Sequence, residues 1–262
     1  MSKADAYNKG DVLLETNDVV IRFGGLTAVN HVSVKIRKGM ITGLIGPNGA
    51  GKTTFFNTIS GVYTPNEGTV TFMGKQIQGT PSHKICGEGM CRTYQVIKLF
   101  GKMTVLENVL VGMHSQLKSN YLTDMFHTGK QRREEKEAIA KAHEWLQFVG
   151  LDEYANDQAS SLSYGKQRLL EIVRALASDP ALLLLDEPAA GMNTKEKAEL
   201  DELMRRILDK GYTILVIEHD MKLVMGVCDY IYCLAEGKLL AEGTPKEVQE
   251  NPDVIEAYLG GE

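Results

Sequence analysis

The chain has 262 residues, 43% hydrophobic, 24% charged and 7% aromatic, with 29 Lys+Arg against 34 Asp+Glu and a formal net charge of -5. These proportions exclude a disordered or fibrous chain, and the acidic balance argues against a nucleic-acid partner, whose phosphates call for a basic surplus. At about 100–200 residues per domain, the length fits one large α/β domain or a core with a second lobe. The four cysteines fall in two distant pairs, Cys86 with Cys91 and Cys228 with Cys233. That spacing matches neither a disulfide-dense framework nor a CxxC metal repeat, so all four are expected as free thiols packed as small hydrophobes. The first eleven residues are polar and charged, unlike a secretory signal, and the longest apolar runs, 181–185 and 214–217, fall far short of the ~20 residues a membrane helix needs. The expected location is the cytoplasm, with any membrane role borrowed from a partner.

In chain order, residues 13–40 read as short strands: 19–23, then Val32, Val34 and Ile36 alternating with polar residues, a period of two that predicts an antiparallel layer. A short apolar run at 41–45 meets a glycine-rich turn at Gly46, after which 52–60 reads as a helix stopped by Gly61. Residues 64–68 make a turn, and 69–73 form a strand with Val70 and Phe72 on one face. The character then changes. A dense charge run from 132 is followed by Ile139, Ala142, Trp145, Leu146 and Val149 at helical spacing, ended by Gly150, which predicts a separate helical lobe. The mixed signs at 132–137 mark a solvated face.

Ser163 is placed to cap a helix running through Ile172, Val173 and Leu176 to a stop at Pro180. The run at 181–185 is too short for a helix and apolar throughout, so it reads as a buried parallel strand. Leu200, Leu203, Met204 and Ile207 then mark an amphipathic helix closed by Gly211, followed by a β-rich run at 213–217. Residues 230–234 and 238–241, joined through Glu236-Gly237, predict a hairpin. Thr244-Pro245-Lys246-Glu247 is a capping box with proline at the first helical position, opening a C-terminal helical tail.

Two constellations carry chemistry. Gly46, Pro47, Asn48, Gly49, Ala50, Gly51, Lys52 and Thr53 fit the phosphate-binding loop pattern, set between an apolar strand and a helix start. Its glycines let the backbone curl so that N–H groups face phosphate oxygens; Lys52 adds a cation, and the Thr53 hydroxyl can ligate Mg²⁺. Asp186 and Glu187 end a buried strand, at the edge where parallel sheets bind ligands. Asp186 is suited to the magnesium shell and Glu187 to accepting a proton from attacking water.

The loop at Gly46, Gln95 in Arg92-Thr93-Tyr94-Gln95, the segment Leu162-Ser163-Tyr164-Gly165-Lys166-Gln167, Asp186-Glu187 and His219 occur in the order seen in ABC-type ATPase subunits, and the chain resembles that family over nearly its whole length. The resemblance implies an α/β fold: a P-loop NTPase core with a mainly parallel sheet, an N-terminal antiparallel β layer and an inserted α-helical subdomain. The implied bounds are 12–88 and 178–243 for the core lobe, 89–177 for the helical lobe and 244–262 for the tail, within a single ABC ATPase domain. It further implies that Phe23 stacks on adenine and that Thr54 joins Gly46 to Thr53 in holding ATP. Gln95 would sense magnesium and the γ-phosphate beside Thr53 and Asp186, and His219 would hydrogen-bond the γ-phosphate. Ser163 and Gly165 would present a helix N-terminus to ATP bound on a second subunit. Tyr164 and Lys166 replace the glycine and glutamine of the common signature, Lys166 bringing a cation of its own, and Asn193 stands where aspartate is usual.

The segments RFGGLTAV at 22–29, LSYGK at 162–166, EPAAG at 187–191 and NPDVIEAYLG at 251–260 are similar to the ATPases of branched-chain amino-acid importers. The implied function is ATP hydrolysis in a head-to-tail dimer, of self or paralogue, coupled through integral-membrane permeases on the inner face of the cell membrane. A solute-binding protein would act indirectly. The stretch 96–106, with Leu99, Phe100 and Met103, is the expected dock for a permease helix. An ABC ATPase for another solute or lipid is one alternative; a nucleic-acid or ribosome clamp is the competing reading from another class, opposed by the acidic balance and by the lack of heptads or a second phosphate loop. A phosphoryl-transfer kinase ranks last, because it gives no reason for the segment at 162–167.

Overall fold

The computed structural model describes residues 7–113 and 129–259, and of 129–132 and 259 only the backbone. The chain divides into two compact units, one made of Met1–Arg92 with Ala181–Glu262 and the other of Thr93–Pro180.

In the first unit, β1 (Val12–Phe23) and β2 (Leu26–Arg37) pair antiparallel. They are longer than their sequence pattern indicates, because register shifts between Thr16 and Val19 and positive φ at Asp18 and His31 interrupt the alternation. With β4 (Glu67–Phe72) and β5 (Lys75–Gln76) they form a four-stranded sheet in the order β2-β1-β4-β5. The second sheet holds β3 (Ile41–Ile45), β6 (Met90–Arg92), β7 (Leu182–Asp186), β8 (Thr213–Ile217), β9 (Tyr230–Ala235) and β10 (Lys238–Gly243), in the order β10-β9-β3-β8-β7-β6. All its pairs are parallel except the β9–β10 hairpin. Every residue of β3, β7 and β8 is buried, which is why these segments read as unbroken apolar runs. The hairpin turns through Glu236 and Gly237, both at positive φ, as a tight two-residue turn requires.

Helix α1 (Lys52–Ile59) presses Phe55 and Phe56 into a core shared with Leu14, Ile36, Leu44 and Leu184. Helix α2 (Ser82–Glu88) leads directly into β6. Here the expectation of four free thiols fails: Cys86 and Cys91 form a disulfide across 4.7 Å between their Cα atoms. Gly89, at φ 112, caps α2 in the left-handed conformation and reverses the chain, folding Cys91 back onto the last turn of the helix. Cys228 and Cys233 are free and buried. Met90–Arg92, assigned above to the helical lobe, is the edge strand of the parallel sheet, paired with β7.

The second unit is helical: α3 (Val105–Met113), α4 (Gly129–Phe148) and α5 (Tyr164–Leu176). Val105, Val109, Ala142, Leu146, Leu170 and Val173 are buried, while Arg133, Glu135, Lys136 and Glu137 on α4 are exposed, with Arg133 and Glu137 paired one turn apart. Back in the first unit, α6 (Thr194–Asp209) and α7 (Met221–Val227) flank β8, and α8 (Pro245–Gln249) and α9 (Pro252–Leu259) close the described chain. The capping box at Thr244 forms as its sequence indicates. Among the described residues no helix is long and apolar enough to cross a membrane.

Candidate active site

Parallel strands share one carboxyl edge, and the chain leaves four of them with chemically active residues. Strand β3 ends at Ile45 followed by Gly46, β6 at Arg92, β7 at Asp186 followed by Glu187, and β8 at Ile217 followed by Glu218 and His219. The topology thereby gathers residues from four distant stretches of sequence at the end of the sheet where such folds bind ligands.

The loop from Gly46 to Gly51 curls through positive φ at Gly46, Gly49 and Gly51. Two of these glycines are required by close approach as well as by φ: a Cβ on Gly46 would lie 2.0 Å from the Leu234 carbonyl oxygen, and one on Gly51 2.3 Å from that of Ala28. Gly51 is also the N-cap of α1 and leaves the first turn without a side-chain cap, so the amides of a helix start are offered to an anion. Lys52 is buried and donates from Nζ to the carbonyl oxygens of Gly46 at 2.7 Å and Pro47 at 2.8 Å. Burial pushes its pKa below the ordinary lysine value, against the opposing pull of Glu187 and Cys233. An arriving phosphate would relieve that cost by supplying the missing negative charge. Pro47 is half-buried, Asn48, Gly49 and Thr53 are exposed, Ala50 is buried and Thr54 is half-buried.

Asp186 is buried at the tip of β7, and Arg92 Nη2 meets its Oδ2 at 2.6 Å. The same guanidinium donates to Asn57 at 2.7 Å and Ser60 at 2.8 Å and lies over the Phe56 ring at 4.9 Å. Arg92 thus ties the tip of β7 to α1 through two nitrogens of one planar, stacked group, a role for which lysine would be a poor substitute. Arg92 carries no motif signature of its own; its sequence signal is a cation opening the segment that leads to Gln95. The Asp186 carboxylate and the Thr53 hydroxyl are hard oxygen donors, the class Mg²⁺ takes, so the chemistry of this pair fits the ion.

Glu187 sits at φ 46 with its N–H on the Ile217 carbonyl at 3.0 Å. Its Oε1 lies 2.6 Å from His219 Nε2, so the residues expected to act separately are one hydrogen-bonded pair. Beside them Glu218 is buried and accepts the backbone N–H groups of Ala189 at 2.7 Å and His219 at 3.1 Å. Burial lifts its carboxyl above the usual range, and Glu187 adds to the rise while the N–H groups of Ala189, His219 and Asp220 oppose it. Glu218 fixes the turn after β7 to the end of β8. Its sequence signal was an acid continuing an apolar run, where an exposed position is the commoner outcome.

Phe23, at the end of β1, is 46% exposed and meets Tyr63 edge-on, with ring centroids 5.3 Å apart. An aromatic pair leaves more π-surface at this edge than the single ring anticipated. Asn193 caps α6 by accepting from the N–H groups of Lys195 and Glu196, with Glu196 reaching back to complete a capping box. Asparagine performs this local role as well as aspartate does.

Within the helical unit, Ser163 caps α5 by accepting from the N–H of Lys166, and Gly165 is buried in its first turn. The Lys166 ammonium lies 3.7 Å over the Tyr154 ring, which accounts for its charge locally. Gln95 is exposed. Its carbonyl accepts from Arg168 Nη2 at 2.7 Å, and that of Tyr94 from Nη1 at 2.6 Å. Arg168 and Glu171, both buried, pair at 2.8 Å, and Glu171 accepts the Lys98 N–H at 3.2 Å. The segment carrying Gln95 is thereby bolted to the helix that Ser163 opens, through two charges that periodicity alone did not single out. Val96, Phe100 and Met103 are exposed, and Leu99 is half-buried.

The chain has relatives among known proteins. Residues 29–190 match the ABC transporter family model, and residues 238–262 match that of the branched-chain amino acid ATP-binding cassette transporters. The chain is 51% identical over 249 residues to the high-affinity branched-chain amino acid transport ATP-binding protein LivG of Salmonella typhimurium, spanning 95% of this chain and 98% of that one. It is 48% identical over the same length to BraF of Pseudomonas aeruginosa, with the same coverage. Among solved structures, the ADP conformation of MJ1267, an ATP-binding cassette of an ABC transporter, superposes with a TM-score of 0.82 at 32% identity, covering 95% of this chain and 99% of that one.

Proposed function

Because the chain belongs to the ABC transporter ATP-binding family, we propose that it is the ATP-hydrolysing subunit of an importer for branched-chain or related hydrophobic amino acids. The observation that carries this reading is half-identity to a branched-chain amino acid transport ATP-binding protein along 95% of the chain, joined to a tail that matches the branched-chain model. The whole chain is one ABC ATPase domain, with core, helical insert and C-terminal tail.

ATP binds with its phosphates on the amides of Gly49 to Thr54 and its adenine against Phe23. Lys52 then exchanges its two carbonyl partners for phosphate oxygens, a stronger charge-assisted contact. Mg²⁺ bound with ATP would be held by Thr53 and Asp186, joined by Gln95, and would neutralise charge on the phosphates. Glu187 accepts a proton from the water that attacks the γ-phosphorus while the bond to the ADP oxygen breaks, giving ADP and inorganic phosphate. His219 holds the Glu187 carboxylate through their 2.6 Å contact and reaches the γ-phosphate with its imidazole.

A second copy or a paralogue completes each site by presenting Ser163 and Gly165 at the N-terminus of α5. Permease subunits dock on the exposed residues around Phe100, which places the chain on the cytoplasmic face of the membrane without spanning it. Movement of Gln95 toward nucleotide is felt along α5 through Arg168, so the docking stretch and the signature helix respond together. Affinity purification from membranes tests the assignment: the chain is expected to recover permease subunits and to release phosphate from Mg·ATP in the same fractions. Recovery with nucleic acid or ribosomes, and without membrane protein, would overturn it.

A further inference from the structure

Helix α9 turns back to the phosphate loop. The backbone N–H of Gly46 donates to the hydroxyl of Tyr258 at 2.8 Å, across 212 positions of sequence. Pro47, Asn48 and Gly49 on one side and Asp253, Glu256 and Ala257 on the other line a cleft of about 700 Å³, so the tail runs alongside the loop beyond this one bond.

The geometry makes Gly46 the place where such a contact counts. It is the first residue beyond the β3–β9 ladder, whose last pair joins Ile45 and Cys233, and at φ 145 it is pressed so closely on Leu234 that no side chain fits. Its carbonyl, with that of Pro47, is held by Lys52. Those bonds draw on the same three Nζ donors as a nucleotide phosphate, so the two compete for them. The bond from Tyr258 does not compete: it engages the N–H of a residue at the root of the loop and persists when Lys52 moves. Tyr258 also lies inside the segment that matches the branched-chain model, outside the residues matching the general one.

We propose that Tyr258 is a positioning residue for the phosphate loop, its hydroxyl holding the Gly46 amide so that the C-terminal tail keeps the loop in its nucleotide-ready shape. This rests on the reading of the loop at Gly46 as the ATP site. Without the hydroxyl the amide must find another partner, the free loop relaxes, and ATP binding bears the cost of reordering it. The effect is on binding rather than on chemistry, because Tyr258 touches neither Glu187 nor His219 in the contacts that build the pair.

The test uses the purified full chain and its Tyr258→Phe, Ile255→Ser and Lys52→Ala variants. Tyr258→Phe removes one oxygen and is expected to raise KM for ATP, and the dissociation constant of a fluorescent ATP analogue, roughly three- to tenfold, the scale of one net hydrogen bond. Its kcat should stay within about twofold and its melting temperature unchanged, while amide exchange at Gly46 quickens in the nucleotide-free protein. Ile255, exposed on the same helix, controls for general damage to the tail and should match wild type. Wild-type KM and Gly46 exchange in Tyr258→Phe, with binding lost in Lys52→Ala, would overturn the inference and leave the site reading intact. An equal KM rise in Ile255→Ser, or a fall in kcat alone, would also overturn it. Undiminished binding in Lys52→Ala would remove the site reading itself.

Discussion

Replacing Glu187 with glutamine separates binding from chemistry. The amide matches the carboxylate in size, and the backbone at φ 46 stays anchored by its N–H on Ile217. A glutamine oxygen or amide can still meet His219 Nε2 at the observed 2.6 Å, so the local arrangement survives. What disappears is the group that takes the proton. A positioned base contributes about 10²–10⁴-fold, or roughly 2.7–5.5 kcal/mol of barrier at 1.36 kcal/mol per decade. The variant is therefore expected to release phosphate at about 0.01–1% of the wild-type rate. ATP affinity should hold or tighten, because one negative charge near Lys52, where the phosphates are to lie, has been removed. Phosphate release under single-turnover conditions reads the first quantity, and titration with a fluorescent ATP analogue reads the second. Hydrolysis near the wild-type rate would remove Glu187 from the role of base. Loss of ATP binding would show instead that the carboxylate holds the site together.

Phe100→Asp is expected to abolish recovery with permease subunits while leaving the protein folded and able to bind ATP, since the ring is 49% exposed; wild-type recovery, or outright unfolding, would reassign the 96–106 stretch to the core. If two chains share each site, specific ATPase activity rises with protein concentration, and a flat profile with a monomer by sizing would favour a self-contained site. Glu218 bears on pH: burial raises its folded pKa above the ordinary value, so the protonated form favours the native state and stability from this group falls as pH climbs from the unfolded pKa through the folded one. Glu218→Gln should accordingly flatten the stability profile from about pH 4.3 upward, as read by urea denaturation across pH; an unchanged slope would exclude Glu218 as a contributor.

Some of this architecture was legible because it rests on local rules. Glycine spacing between an apolar run and a helix start marked the loop at Gly46, the run before Asp186 marked a buried parallel strand, and Ser163 and Thr244 announced their helices by capping chemistry. Glu236-Gly237 foretold its hairpin in the same way. Other features depend on partners that only the topology supplies. Arg92 is three residues from Gln95 in sequence, yet its ion-pair partner Asp186 is 94 positions away, brought near because β6 takes the sheet edge beside β7. Glu218 and Arg168 are charges in stretches whose periodicity speaks only of apolar neighbours, and their burial follows from the backbone groups they serve. The Cys86–Cys91 disulfide was missed because spacing alone does not reveal a left-handed turn at Gly89 that folds a strand back onto a short helix. Tyr258 lies in a stretch that the sequence marks only as a C-terminal helical tail, and nothing local ties it to Gly46.

The most direct test of the account is reconstitution of the chain with its copurified permeases in sealed vesicles, oriented to take up solute, with ATP inside and labelled leucine and its solute-binding protein outside. Leucine should accumulate against its gradient only when Mg·ATP is enclosed, with phosphate released in step, and both signals should vanish when the chain carries Glu187→Gln. Accumulation that persists with the Glu187→Gln chain, or ATP turnover that proceeds with no ATP-dependent movement of branched-chain amino acid, would contradict the claim that this chain powers their import.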